Sequence, residues 1–208
     1  MLSPVQQRTR DARGHRVACY QCFKPQVACI CASIEPVANQ TGIIILQHPR
    51  ERFHAVGSVR IAQLALAKIH VEPCTPWADG SALRAHLPEQ TALLYPAAGA
   101  CELTTLPIEE RPRHLLMLDG TWFHAKKIYD AHQWLRDLPQ VSLTPSQPSR
   151  YRVRREPKAC YLATVEAIVC ALRILEPQTR GLDGLLRSFA AMVDQQAGYT
   201  TAARRRVR

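Results

Sequence analysis

The chain has 208 residues, enough for one main domain with its own buried core and a small appendage. Its 27 Lys and Arg residues against 17 Asp and Glu give a formal net charge of +10, which favours a polyanionic partner such as nucleic acid. The sequence has no apolar run of about 18 residues and no apolar signal core near its start, so we expect a cytoplasmic protein with no membrane association.

Four of the eight cysteines crowd together after an N-terminal extension (residues 1–17), in the pattern Cys19-x-x-Cys22-x6-Cys29-x-Cys31. Two short chelating pairs can bring four thiolates onto one tetrahedral ion, so residues 18–36 are predicted to form a zinc knuckle. An unmetallated reduced cluster and an iron–sulfur centre are the alternatives. Because four Cys ligands leave no open coordination position, the zinc would be structural and would stiffen this appendage.

Short apolar runs, each followed by turn residues, predict a parallel sheet. Residues 42–46 form a continuous apolar and β-branched run, and residues 91–95 and 114–118 repeat this pattern. Residues 56–67, 122–135 and 161–175 have the apolar spacing of amphipathic helices, and Thr121 is a suitable N-cap for the second. The fold class predicted is therefore α/β, with helices on both faces of the sheet.

Polar or turn-rich clusters stand where these strands end, at residues 47–51, 95–100 and 119–122. In open α/β sheets, ligands bind beyond the carboxyl ends of the strands, although plain turn chemistry also explains such loops. The cluster at 119–122 combines an acid, Asp119, with Gly120, the capping hydroxyl of Thr121 and the large ring of Trp122. Trp122 is suited either to stacking on a base or to anchoring its helix.

Basic side chains follow in two further places. Lys126 and Lys127 lie on the predicted helix, and Arg150, Arg152, Arg154, Arg155 and Lys158 surround Tyr151. Both groups suit phosphate contacts, and the tyrosine suits base stacking, while solvated charged faces are the alternative reading. His48 and Glu51 either form a pair that shapes a pocket, or His48 caps the strand end without a ligand.

At this point the sequence resembles the DTW-domain family. The resemblance rests on Asp119-Gly120-Thr121-Trp122 followed by Ala125-Lys126-Lys127, on the cysteine cluster, on His48-Pro49-x-Glu51, on Leu94-Tyr95-Pro96, on Tyr151-Arg152-Val153-Arg154-Arg155-x-Pro157 and on Leu162-x-Thr164-x-Glu166-Ala167. These motifs occur in the family's order and span about residues 19–171. Two places depart from the pattern: Gly57-Ser58 replaces an Asn-Thr pair, and Ala163 replaces a Ser.

The resemblance implies a fold and an activity. The fold would be similar to that of SPOUT methyltransferases, which often carry a trefoil knot, with a DTW catalytic domain at 37–200 and a basic tail at 201–208. Bacterial members of the family resemble enzymes that transfer a 3-amino-3-carboxypropyl group from S-adenosylmethionine to N3 of a uridine in tRNA, typically in the variable loop. Methylthioadenosine would be released. The partners implied are therefore tRNA and S-adenosylmethionine, while monomer and homodimer stay open.

The same resemblance implies a set of site residues. Asp119 would be catalytic, either as the base that accepts the N3 proton or as the group that holds the amino group of the transferred arm. An Arg of the 152–155 segment would be its cationic partner. The cofactor-binding residues would be Gln47, His48, Pro49, Tyr95, Pro96, Gly120, Thr121, Trp122, Thr164 and Glu166. The substrate-binding residues would be Glu51, Lys126, Lys127, Tyr151, Arg152, Arg154 and Arg155, and the metal ligands Cys19, Cys22, Cys29 and Cys31.

Two other functions remain open from the sequence. A non-enzymatic zinc-containing RNA-binding protein would need the knuckle and the basic segment, but neither Asp119 nor a cofactor pocket. A SPOUT-type RNA methyltransferase would keep the fold and the pocket but transfer a methyl group. The mass of the product distinguishes the two transfer reactions.

Overall fold

A single six-stranded sheet forms the centre of the computed structural model, which describes residues 17–54, 56–145, 149 and 162–206. All of its neighbouring strands are parallel, in the order β2-β1-β5-β3-β6-β4. The strands are β1 Gly42–Gln47, β2 Ile69–Pro73, β3 Thr91–Leu94, β4 Cys101–Glu102, β5 His114–Asp119 and β6 Gln140–Ser142. The predicted α/β class and parallel sheet are confirmed.

The central strands β1 and β5 are buried on both faces, as their continuous apolar sequences predict. Their register pairs Gly42 with His114 at one end and Gln47 with Asp119 at the other. Because side chains alternate between the two faces of a strand, paired residues of neighbouring strands point to the same side. This register therefore brings the side chains of Gln47 and Asp119 together at the carboxyl edge of the sheet.

Helices cover both faces of the sheet, as predicted. They are α1 Val59–Ala65, α2 Gly80–Ala85, α3 Trp122–Ala131, α4 Thr164–Leu175 and α5 Leu182–Arg206. The larger core lies on one face, where α1, α4 and α5 pack, and a second core on the other face includes Ile128 of α3. The predicted SPOUT likeness and the knot stay predictions.

All three predicted helices are shorter than their apolar spacing indicates. The helix expected over 161–175 begins only at Thr164, because Ala163 has an extended backbone. The helix expected over 56–67 spans only Val59–Ala65, because Leu66 is extended and forms a parallel bridge with Val37. The helix expected over 122–135 ends at Ala131 and continues as a 3-10 turn, Gln133–Arg136. His132 breaks it with a non-helical backbone, and its Nε2 lies 2.9 Å from the carbonyl oxygen of Thr75.

The cysteine-rich segment packs directly on the main domain. Cys22 and Ile30 belong to the larger core, and the Ser188 hydroxyl of α5 donates to the carbonyl oxygen of Ser33 at 2.6 Å. Helix α5, which no sequence pattern predicted, contributes Phe189 to the same core. No helix in the described part of the chain combines the length and the apolarity needed to cross a bilayer.

Candidate functional site

A cavity of about 740 Å³ opens at the carboxyl edge of the sheet. This volume lies within the range of roughly 300–1,000 Å³ that is usual for small-molecule sites. Its walls come from the segments after β1, β3, β5 and β6 and from the start of α4. They are lined by Glu51, Val56–Ser58, Leu94–Pro96, Met117–Phe123, Ala125, Ser142–Pro145, Leu162–Thr164 and Ala167. The cavity thus lies where ligands collect in parallel α/β folds.

Asp119, the last residue of β5, lines this cavity and is held by hydrogen bonds from three segments. It is only 8% exposed. One carboxylate oxygen accepts a hydrogen bond from the Gln47 amide at 3.0 Å, and the other accepts one from the Thr164 hydroxyl at 2.6 Å. Its backbone carbonyl also accepts from the His48 N–H at 2.8 Å. These contacts, from β1, α4 and the loop after β1, fix the carboxylate at one position on the cavity wall.

The segment after Asp119 turns directly into α3. Thr121 caps the helix as predicted, because its hydroxyl oxygen accepts a hydrogen bond from the His124 N–H at 3.2 Å. A Cβ atom at Gly120 would lie 3.0 Å from the Cβ of His124 and 3.5 Å from that of His48. Glycine is therefore needed here for the close approach of the turn to its neighbours, and the cavity reaches the backbone of 119–121.

The structure brings about half of the predicted site residues to the cavity. Among the predicted cofactor-binding residues, Tyr95, Pro96, Gly120, Thr121, Trp122 and Thr164 line it, as does Glu51 from the predicted substrate-binding set. Gln47, His48, Pro49 and Glu166 do not line it. Gln47 instead donates a hydrogen bond to Asp119, so it acts on the site only through that carboxylate.

His48 stacks on His124, a residue to which no sequence motif assigned a role. The two rings lie 3.9 Å apart and are nearly parallel, at 3°. Burial lowers the pKa of His48 below its ordinary value, and the neighbouring His124 and Arg50 lower it further, while Glu51 opposes them. A neutral His48 accepts a hydrogen bond from the Arg50 N–H at its Nδ1, 3.3 Å away, and so caps the turn Pro49–Glu51. The sequence offered only its position as a signal: His124 lies in the first turn of the helix that follows Gly120.

Glu166 is a buried residue that forms hydrogen bonds at the start of α4. Its carboxylate accepts hydrogen bonds from the Ala163 N–H at 2.8 Å and from the Ser149 hydroxyl at 2.5 Å. Ala163 occupies the N-cap position, where its methyl group cannot accept a hydrogen bond as the family's usual Ser would. Glu166 therefore satisfies the N–H of the N-cap residue itself and positions Leu162, Ala163 and Thr164 on the cavity wall.

The wall formed by Ser142–Pro145 was not predicted. Its strand, β6, has only three residues and carries no alternating pattern long enough to recognise. Glu102 of β4 holds this wall, because its carboxylate accepts from the Thr144 N–H at 3.1 Å and from the Thr144 hydroxyl at 2.9 Å. Gly57 and Ser58, which depart from the family pattern, also line the cavity, and the Ser58 hydroxyl accepts from the Val165 N–H at 3.4 Å.

The predicted basic residues are only partly described. Lys126 pairs with Asp130 on the exposed face of α3. The Lys127 ammonium lies 4.4 Å from the ring centroid of Phe123, which is 63% exposed at the cavity. Tyr151, Arg152, Arg154 and Arg155, together with the predicted pairing of an arginine with Asp119, lie outside the described residues.

Two carboxylates stand among the described residues that line the cavity. Glu51 and Asp119 line it, whereas no Lys, Arg or His stands among the lining residues in the described part of the chain. The remaining wall is mostly apolar or aromatic, with Tyr95 stacked on Tyr129 at a ring-centroid distance of 4.3 Å. Such a cavity suits a ligand that combines an aromatic ring with a positive charge.

The four N-terminal cysteines meet as their spacing predicts. Their sulfur atoms all lie within 4.8 Å of one another, with Cys19 and Cys31 at 3.7 Å and Cys22 and Cys29 at 3.8 Å. A zinc–sulfur bond of about 2.3 Å gives a tetrahedral sulfur–sulfur edge of about 3.8 Å. The cluster therefore has the dimensions of a four-thiolate metal site.

The thiols of this cluster differ in acidity. Backbone N–H groups of Cys22 and Gln21 lower the pKa of Cys19 to about 6, which favours its thiolate. Burial raises the pKa of Cys31 to about 12. A divalent cation among the four sulfur atoms would offset the cost of burying their thiolates.

Comparison with known proteins gives consistent names. A family model described as the DTW domain matches residues 16–197. A Drosophila melanogaster protein named tRNA-uridine aminocarboxypropyltransferase 2 is 30% identical over 200 residues, which cover 89% of this chain and 77% of the relative. Its Mus musculus namesake is 30% identical over 193 residues, 87% of this chain and 64% of the relative, just under two thirds of its length. Arabidopsis thaliana tRNA-uridine aminocarboxypropyltransferase A is 26% identical over 226 residues, 91% of this chain and 84% of the relative. No solved structure matches.

Proposed function

Because the chain belongs to the DTW-domain family, we propose that it is an enzyme that transfers the 3-amino-3-carboxypropyl group of S-adenosylmethionine to N3 of a uridine in tRNA. The names of its relatives support the reaction class and the tRNA substrate. A uridine of the variable loop is the proposed target, and methylthioadenosine is the proposed by-product. The cytoplasmic location stays a prediction.

The observation that carries the proposal is a buried carboxylate, Asp119, on the wall of a cavity at the carboxyl edge of a parallel sheet. The residues present fit S-adenosylmethionine. Glu51 and Asp119 offset its positive sulfonium, while the aromatic and apolar wall suits its adenine ring. We assign Tyr95, Pro96, Gly120, Thr121, Trp122 and Thr164 to this ligand. Gln47, His48, Pro49 and Glu166 would support these residues rather than contact it.

When bound, S-adenosylmethionine supplies a carbon that its sulfonium activates toward nucleophiles. Asp119 accepts the proton from uridine N3 as the new nitrogen–carbon bond forms. The carbon–sulfur bond breaks at the same time, and its electron pair stays with the neutral sulfur of methylthioadenosine. Gln47 and Thr164 hold the Asp119 carboxylate in place for this proton transfer, so the acceptor needs no rearrangement.

Choice of the transferred group depends on position, because the sulfonium activates three carbons. The carbon that reacts is the one that lies in line with N3. We assign this alignment to two segments of the cavity wall: Ser142–Pro145, held by Glu102, and Leu162–Thr164, held by Glu166. The two walls therefore decide whether the arm or the methyl group is transferred.

We also propose that Cys19, Cys22, Cys29 and Cys31 bind a structural zinc ion. The sulfur–sulfur distances of 3.7 and 3.8 Å support this assignment. With four protein thiolates the metal has no open position and takes no part in the transfer. Its role is to fix residues 18–36 on α1 and α5.

The decisive test is mass spectrometry of nucleosides from tRNA incubated with the pure protein and S-adenosylmethionine. The wild type should yield aminocarboxypropyl-uridine and release methylthioadenosine, and an Asp119→Ala variant should yield neither. Asp183→Asn is a suitable control, because it removes a carboxylate on the surface of α5, outside the cavity. Its activity should match that of the wild type.

Other products would support the competing functions. A methylated nucleoside would keep the cavity as the S-adenosylmethionine site but replace the proposed reaction with methyl transfer. If tRNA binds but no new nucleoside forms, and S-adenosylmethionine does not bind, the protein is a zinc-containing RNA-binding protein.

A further inference from the structure

Exposed aromatic rings gather where the cysteine-rich segment meets the loop after β1. Tyr20 is 92% exposed, Phe53 67% and Phe23 37%. The rings of Phe23 and Phe53 meet edge to face at a centroid distance of 5.4 Å. Arg60 lies over the Phe23 ring at 4.3 Å, and Arg52 lies over the Phe53 ring at 5.2 Å. We call these five residues the aromatic–arginine patch.

The patch is a built surface rather than a frayed loop. Phe23 adopts a positive φ of 59°, which is unfavourable for a bulky residue, and its N–H donates to the Cys19 carbonyl at 2.8 Å. Arg60 of α1 donates to the Gln21 carbonyl oxygen from Nε at 2.6 Å and also from Nη2. The contacts with the cysteine cluster and with α1 therefore fix the backbone that carries the exposed rings. Several large exposed rings in one place are typical of an interaction site.

The chain connects the patch to the cavity. The loop that follows β1 contributes Glu51 and Val56–Ser58 to the cavity wall. Arg52 and Phe53 lie between these segments and are turned outward, where both are exposed. A ligand that is bound in the cavity and extends past Glu51 would therefore meet the patch.

We infer that the aromatic–arginine patch binds unpaired nucleotides that flank the target uridine, with Phe53 and Tyr20 stacking on bases and Arg52 contacting phosphate. This inference rests on the proposed function for the identity of the RNA. Ring faces interleaved with arginine are the chemistry that recognises single-stranded RNA, because every base offers a π-face and every nucleotide a phosphate. The net charge of +10 has the complementary sign.

Stacking can be separated from simple apolar contact with two substitutions of Phe53. Phe53→Leu keeps an apolar side chain but removes the ring face, whereas Phe53→Trp keeps and enlarges it. We expect Phe53→Leu to raise the dissociation constant for tRNA roughly 5- to 100-fold at fixed salt, and Phe53→Trp to bind like the wild type. Ile108→Ala is the control, since Ile108 is also exposed, at 79%, but precedes β5 at the opposite edge of the sheet.

Four companion measurements complete the test on the same chain supplied with Zn²⁺. Arg52→Ala should lower the dependence of tRNA binding on salt by about one released counterion. Single-stranded RNA should compete with tRNA for the wild type better than duplex RNA does. Binding of S-adenosylmethionine and the melting temperature should stay the same in all variants, which shows that the fold and the cavity are intact.

Several outcomes would overturn the inference. One is a Phe53→Leu variant that binds tRNA as tightly as the wild type, and another is duplex RNA that competes as well as single strands. If the wild type instead dimerises and Phe53→Leu dissociates the dimer without changing tRNA affinity, the patch is a contact between two copies of the chain. Binding of tRNA that depends on the Phe53 ring, with no modified nucleoside formed, would keep the patch and refute the transferase.

Discussion

Replacing Asp119 with Asn tests the assigned base with the smallest change of shape. The carboxylate accepts one hydrogen bond from Gln47 and one from Thr164. An Asn oxygen can still accept from the Thr164 hydroxyl, and the Gln47 amide can turn over so that its oxygen accepts from the Asn amide. Both hydrogen bonds survive in neutral form, and what the variant loses is the negative charge.

The expected magnitudes follow from this geometry. A hydrogen bond to a charged group contributes about 1 kcal/mol more than a neutral one, so the loss of charge at these two bonds should lower the free energy of unfolding by about 2 kcal/mol. For a chain of this size, that loss lowers the melting temperature by about 4–8 °C. A general base contributes about 100- to 10,000-fold to a rate, so kcat for methylthioadenosine release should fall by that factor. Catalysis should therefore suffer far more than folding.

The assay is the release of methylthioadenosine at saturating tRNA and S-adenosylmethionine, with binding of S-adenosylmethionine measured separately by calorimetry. If the Asp119→Asn variant binds S-adenosylmethionine but transfers at least about 100-fold more slowly, the result agrees with a base. A transfer rate within about ten-fold of the wild type would refute that role, because it falls short of what a general base contributes. Loss of S-adenosylmethionine binding would instead assign Asp119 to binding a positive charge of this ligand, either its sulfonium or the amino group of the arm.

Three further predictions concern the parts that support the site. Cys29→Ser should lower bound zinc below one ion per chain and lower the melting temperature, whereas Cys101→Ser, which changes an exposed cysteine outside the cluster, should do neither. Glu176→Gln should reduce the free energy of unfolding, measured in urea, by about 2–3 kcal/mol. The reason is that this buried carboxylate accepts hydrogen bonds from two backbone N–H groups just before β1 and from the Thr179 hydroxyl. An unchanged free energy of unfolding would contradict this prediction. Burial lowers the pKa of His48 in the folded state, so the unfolded chain binds a proton more readily. The contribution of His48 to the free energy of unfolding should be fully present above about pH 6.5 and should decrease below it. In a His48→Gln variant the free energy of unfolding should therefore decrease less steeply as the pH is lowered.

The sequence by itself determined the elements whose information is local. The apolar run at β1 predicted a strand buried on both faces, and the hydroxyl of Thr121 predicted a helix start, because a cap acts within one turn. The spacing of Cys19, Cys22, Cys29 and Cys31 predicted the cluster that the structure shows. The positions where strands end predicted the edge of the sheet at which the cavity lies.

The tertiary structure decided which of these residues meet. Gln47 and Asp119 are 72 positions apart, and only the pairing of β1 with β5 brings them into contact, which no local pattern specifies. Strand β6 is too short for its alternation to show, so the wall it carries was missed, and the contact of Phe23 with Phe53 depends on how the cysteine-rich segment docks on α1. Local propensities act over a few residues, whereas a site is made by strand order and packing between distant segments.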